Sequence, residues 1–290
     1  MSNSKNILYL ISLILLMLTG CEAETSWAPL PNEEEEPVEV RFHATTFGAN
    51  VEVSRATSYE DNTFHPDYEI GIWNDYYSNI KMIYTNTENG EPNLNTINNE
   101  KIYFPYQTEE MKVYAYAPYS DTQTDLENKT VNVRSEWEDN TVYADYIVDP
   151  LWSSCTVIKE NPMAYFYFSH QMARLRINLK MDVPLDNYTI TITFDRPQCG
   201  TMSLTDGSIT PLSQGSEYNY NIEYTNQGSP DEDLPTSYDF TILPGTVLKK
   251  IHLVYNEDKR FTKEYTEENP FGVFNRGTVI IVNLDFTKKN

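Results

Sequence analysis

Cys21 ends the stretch Leu18-Thr19-Gly20-Cys21, directly behind the one long apolar run of the chain. A cysteine in that place can act as a nucleophile. Small residues before it keep the chain extended and unhindered for a signal peptidase, and the thiol then takes a diacylglycerol. The stretch has the form of a bacterial lipobox, so Cys21 is the expected lipidation site. Two or more acyl chains make such an anchor stable, since each buried methylene contributes about 0.8 kcal/mol. The chain carries Cys 3 in all. For Cys155 and Cys199 an envelope location permits a disulfide, and two unpaired thiols are the open alternative. No C-x-x-C spacing occurs, which removes support for zinc or thioredoxin-like chemistry.

The rest of the search for chemistry is thin. His43, His65, His170 and His252 are scattered, without H-E-x-x-H or i,i+4 company. G-x-S-x-G, P-loop and Rossmann patterns do not occur. With Asp+Glu 43 in the chain, some carboxylate pair can always be nominated as a glycosidase dyad, and at that density the signal has no specificity. No catalytic residue, cofactor or metal site is expected, and the chain reads as a non-enzyme. Against those acids stand Lys+Arg 21, for a formal net charge of -22. A nucleic-acid partner needs a basic footprint that this balance does not supply. Acidity of this kind keeps an exposed protein soluble and away from anionic surfaces.

The elements that carry these residues follow from hydropathy. Ile7 to Leu18 is apolar except for Tyr9 and Ser12, behind a short polar start with Lys5. As a helix that run spans roughly 18 Å against a hydrocarbon core of about 30 Å, too short to cross but suited to a secretory signal. Behind Cys21, Pro29, Pro31 and Pro37 bracket the acidic run Glu33 to Glu36, a composition that makes a stiff, solvated tether. Acidic residues behind a lipidated cysteine also favour export to the outer surface, weakly here because the run lies far from Cys21.

From Val38 onward the period is two. Val38, Val40 and Phe42 alternate with Glu39, Arg41 and His43, which places the first set on a buried face. Met111, Val113, Ala115 and Ala117 repeat the pattern, as do Tyr188, Ile190, Ile192 and Phe194, and a last β-prone run contains Val279, Ile281 and Leu284. Asn89-Gly90, Asp206-Gly207 and Pro244-Gly245 supply turns between such runs. No stretch of ten or more residues has helical spacing, so the fold class is all-β and the architecture a sandwich. Residues 148–162 carry two prolines and mixed polarity and read as a seam. The apolar run from Met163 to Lys180 then reads as the opening strand of a second domain. The expected organisation is a signal peptide over 1–20, an acidic tether over 21–37, an N-terminal β-sandwich over 38–155 and a C-terminal β-sandwich over 156–290. A single larger sandwich is the alternative.

A lipobox, a polar tether, and then "VEVSRATSYED", "YEIGIW", "VYAYAPYS" and "YFYFSHQMARLRINLK" in this order resemble the fimbrillin family of Bacteroidota, in its Mfa-like branch, over nearly the whole chain after residue 38. The resemblance implies two tandem transthyretin-like β-sandwich domains. It also implies a surface-exposed outer-membrane lipoprotein that is trimmed by an arginine-specific protease and polymerised with other fimbrial subunits by strand exchange. On this chain the matching processing site is Arg55-Ala56. Cleavage there removes the lipid, the tether and the first strand together, and Arg41 is a poorer site because it lies within that strand. Stalk subunits of the family carry an extra C-terminal donor segment, whereas "NRGTVIIVNLDFTKKN" reads as a last core strand. A tip or accessory subunit contributing to cell adhesion is therefore expected, with a subunit that stays lipidated as anchor also open. The competing reading is a stand-alone surface lipoprotein that binds a glycan or another ligand on an aromatic platform, and Tyr 22 provides the aromatics.

Overall fold

The computed structural model describes residues 36–46, 64–87, 91, 93–97, 100–135, 146–180, 187–212, 217–225, 237–255, 259–264, 266 and 272–285. Among them it contains strands and no α-helix. In chain order the first are β1 (Glu39–Thr46), β2 (Glu69–Trp73), β3 (Ile80–Tyr84), β4 (Leu94–Thr96), β5 (Ile102–Tyr103) and β6 (Glu110–Ala117). Then come β7 (Thr124–Asp125), β8 (Thr130–Arg134), β9 (Ile147–Val148), β10 (Leu151–Ile158), β11 (Met163–His170), β12 (Ala173–Lys180) and β13 (Asn187–Phe194). The last are β14 (Cys199–Ser203), β15 (Ile209–Pro211), β16 (Tyr218–Thr225), β17 (Ser237–Ile242), β18 (Leu248–Tyr255), β19 (Lys259–Glu264) and β20 (Val279–Asp285).

Seven strands close into a small barrel in the order β11-β10-β6-β2-β3-β4-β1, with β1 returning to β11, and β5 joins β1 outside the ring. A sandwich is the sequence expectation for this half. The difference arises because β1 runs parallel to β11, from Arg41↔Met163 to Thr46↔Phe168, and so joins two edges that a sandwich leaves apart. The barrel is filled by Val40, Phe42, Ile70, Ile72, Met82, Tyr84, Val113, Leu151, Phe166 and Phe168, among others. The boundary expected at 155/156 falls inside β10, which pairs with β6 along its whole length from Leu151↔Ala117 to Ile158↔Glu110. The first core continues to Phe168, and the second begins at Ala173.

Around the second core lie two sheets, β17-β12-β20 and β16-β13-β18-β19. Leu175 and Ile177 of β12, Phe240 of β17 and Val282 of β20 meet Ile190 and Ile192 of β13 and Ile251 of β18. This half is a sandwich. Its last strand, β20, pairs parallel with β12 from Arg174↔Val279 to Lys180↔Asp285.

A further sheet draws on both halves of the chain. In it β8 pairs antiparallel with β14, Cys199↔Arg134 to Ser203↔Thr130, and Val131, Val133, Met202 and Leu204 cover Trp73 and Tyr116 on the outside of the barrel. The Trp73 and Trp152 indoles both donate to the Leu204 carbonyl, at 3.2 and 2.9 Å. The buried Trp73 indole and the half-buried Trp152 indole thereby each find a partner for the N–H, as burial requires.

Gly71 shows how tight this layer is. A Cβ there would lie 2.2 Å from the Tyr116 ring. The ring cannot swing away freely, because its hydroxyl donates to Asn79 Oδ1 at 2.6 Å and accepts the Ser120 N–H at 3.3 Å. Gly71→Ala is therefore expected to lower stability by about 1–3 kcal/mol, the usual cost of overpacking a core. Denaturant melts of the full chain read this, and a loss under ~0.5 kcal/mol would show that Tyr116 yields.

Candidate functional site

β1 is the element that closes the barrel, and its chemistry is that of a strand in a groove. Val40, Phe42 and Ala44 are buried, Arg41 is exposed, and His43 and Thr45 are half-buried on the outer face. Val38, just ahead of the strand, is half-buried and packs against the same core. The expected alternation thus holds and extends to Ala44. Phe42 stacks on Phe166 with centroids 6.4 Å apart and planes 10° from parallel. Burying Val40 and Phe42 contributes about 3–6 kcal/mol together.

The two flanks of β1 differ. Towards β11 the parallel ladder is continuous and begins with the Arg41 N–H donating to the Pro162 carbonyl at 2.9 Å. Towards the other side β1 meets β5 at Glu39↔Tyr103 and Val40↔Ile102, and meets β4 only at Phe42↔Leu94. Asn93 extends that short contact. Its backbone N–H donates to the Phe42 carbonyl at 3.1 Å, and its side chain takes the Ala44 N–H on Oδ1 at 2.8 Å. The same side chain donates through Nδ2 to the Ala44 carbonyl at 3.1 Å.

A cleft of about 350 Å³ opens beside this flank, lined in part by Arg41, Phe42, Met82, Leu94, Asn95 and Ile102. Glu39 and Lys101 pair at 2.6 Å on its exposed rim, and the hydrogen bond that the Lys101 ammonium donates to the Glu39 carboxylate raises the lysine pKa above its usual range. On the outer face His43 packs against Tyr165 at 5.6 Å, and burial lowers its pKa. On β10, burial against the barrel core pushes the Cys155 thiol up to about 12. Cys155 and Cys199 are both thiols, in β10 and β14.

Cys21, Arg55 and Ala56 lie outside the described residues. Arg41 sits within β1, paired with Met163, as its place in the alternation implies. Tyr165 and Tyr167 are 45% and 56% exposed on β11, and the Tyr165 ring lies at 46° to its neighbour His43. Among the described residues no group of His, Cys, Asp and Glu could hold a metal ion. Two participants carried no signal in the sequence: β11 as the partner of β1, and Asn93.

Comparison with known proteins places this geometry. The model of the fimbrillin-like family matches residues 46–290, which begin where β1 ends. A solved candidate cell adhesion protein of Bacteroides uniformis shares the fold with a TM-score of 0.58 at 17% identity, over 88% of this chain and 95% of that chain. A second, from Bacteroides ovatus, gives a TM-score of 0.53 at 17% identity over 86% of this chain and 92% of that chain. No curated protein matches the sequence.

Proposed function

The chain belongs to the fimbrillin-like family, a structural and not an enzymatic one, and from that premise we propose that it is a fimbrial subunit of tip or accessory type, assembled at the cell surface by donor-strand exchange. In this reading Cys21 carries the lipid that holds the precursor on the outer membrane. An arginine-specific protease cuts Arg55-Ala56, and β1 leaves with the lipid and tether. A strand from another fimbrial subunit takes its place. The name of the Bacteroides relatives supports a contribution to cell adhesion. We divide the chain after His170 into two units derived from transthyretin-like sandwiches, the first of them closed into a barrel by β1.

The observation that carries the reading is the position of β1. It is the first described strand, it buries an apolar face, and among the described strands it alone bridges β11 and β4. Its removal uncovers Phe166 and leaves the edge of β11 from Met163 to Phe168 without its ladder, a template for an added strand. An accepting role is supported by β20, whose Val282 and Leu284 are buried and whose ladder on β12 ties it into its own core.

Limited digestion with an arginine-specific protease tests this. The product is expected to start at Ala56 and to capture a donor-strand peptide or partner subunit that the precursor ignores. Arg55→Ala should fold normally and resist both steps. A cut chain that keeps residues 38–47 in place and captures nothing would overturn strand exchange.

A further inference from the structure

We infer that Asn93 is a backbone-reading clip that sets the register and the sequence pattern of any strand held in the β1 groove, an inference that rests on the strand-exchange reading for its partner but not for its geometry. Asn93 is 4% exposed and spends its side-chain amide on the N–H and C=O of one residue, Ala44. A primary amide offers an acceptor and a donor side by side, as a peptide group does. Asn93 therefore continues the antiparallel contact one step past Phe42↔Leu94 through its side chain. Even-numbered residues of β1 present their backbone to this flank, while the Arg41 N–H faces β11.

Two consequences follow for an occupant. An empty groove opens the Asn93 amide to water, and a strand that refills the groove takes it out of water again and must satisfy it with its backbone, whatever its side chains. The clip is thus selective for an extended chain and indifferent to most side chains. The exception is the clipped residue itself. Ala44 is 0% exposed, so a large side chain there has no space, whereas two residues earlier the Phe42 site takes an aromatic on Phe166. The partner is accordingly a strand of another subunit that runs parallel to β11 and reads apolar, any, aromatic, any, small.

Two measurements test the clip. In the intact full-length chain, Asn93→Ala should speed hydrogen exchange at the Ala44 amide by ~tenfold or more while the Val40 amide is unchanged. Unaltered protection at Ala44 would overturn the inference whatever happens in assembly. In the chain cut at Arg55, a labelled peptide of residues 36–47 should replace β1. The same peptide N-methylated at Ala44, or carrying Ala44→Leu, should bind at least ~tenfold more weakly. With Asn93→Ala as acceptor, N-methylation should cease to matter. Equal binding of all three peptides to the wild-type acceptor overturns the clip and leaves strand exchange standing. No binding of any peptide overturns strand exchange, and the exchange rate at Ala44 then decides the clip alone.

Discussion

Truncating Phe42 to alanine is expected to cost about 3–5 kcal/mol and to free β1 before the rest of the fold. The ring is 4% exposed, stacks on Phe166 and sits at the single pair that joins β1 to β4. Its loss leaves a cavity at the point where the barrel is held by the fewest backbone bonds. A whole domain has a stability of only about 5–15 kcal/mol, so the change is large in global terms. Its distribution is the more telling result. The amides of Arg41, Phe42 and Ala44 should exchange through local opening of β1, while those of β6, locked between β10 and β2, should still need the larger opening. Phe240→Ala is the control. Phe240 is 1% exposed in the second core, so its truncation should cost a similar amount without loosening β1 selectively. If Phe42→Ala costs under ~1 kcal/mol, or leaves the β1 amides as protected as those of β6, then β1 is not the closing strand of the barrel.

This asymmetry between local and distant information also explains what the sequence disclosed. The all-β class was legible because period two needs only neighbours. Met111 and Val113 are buried while Lys112 is exposed, and Ile190, Ile192 and Phe194 line the second core. Val40 and Phe42 were placed on the right face by the same rule. The seam was harder, because the run from Met163 to Lys180 looks like one apolar strand and is two. Ala164, Phe166 and Phe168 face the first core, and Ala173, Leu175, Ile177 and Leu179 face the second. The buried positions change from even to odd across a bend at Gln171 and Met172, and that change of phase is the signal that separates the two strands.

Closure of the barrel was not legible at all. The β1 and β11 strands pair across more than a hundred residues of chain, and nothing in the period of either names the other. Asn93 was hidden for a different reason. Asn93 stands in a stretch with Asn95, Asn98 and Asn99 that reads as turn chemistry, since asparagine is mostly exposed, and only the structure shows Asn93 at 4% exposure with its amide spent on Ala44. Trp73 and Trp152 belong with it: their shared acceptor, the Leu204 carbonyl, lies in the other half of the chain.

Replacing Cys21 with serine is expected to move the protein almost entirely out of the membrane fraction. A serine hydroxyl in place of the thiol removes the nucleophile that takes the diacylglycerol, and without the lipid the lipoprotein peptidase has no substrate. What remains as anchor is the apolar run of residues 7–18, which even as a helix would span only roughly 18 Å of an about 30 Å hydrocarbon core and so would hold poorly. Among the described residues no helix is long and apolar enough to take over. By contrast, two acyl chains on Cys21, at about 0.8 kcal/mol for each buried methylene, would hold the wild type firmly. The comparison with Arg55→Ala separates anchoring from activation. Arg55→Ala should stay lipidated and membrane-bound with β1 in its groove, and Cys21→Ser should be soluble or misprocessed with β1 still in place. Fractionation and the mass of the N-terminal peptide distinguish these species directly. If Cys21→Ser stays as firmly membrane-bound as the wild type, the lipobox assignment fails, and the precursor must be held at the surface by some other part of the chain.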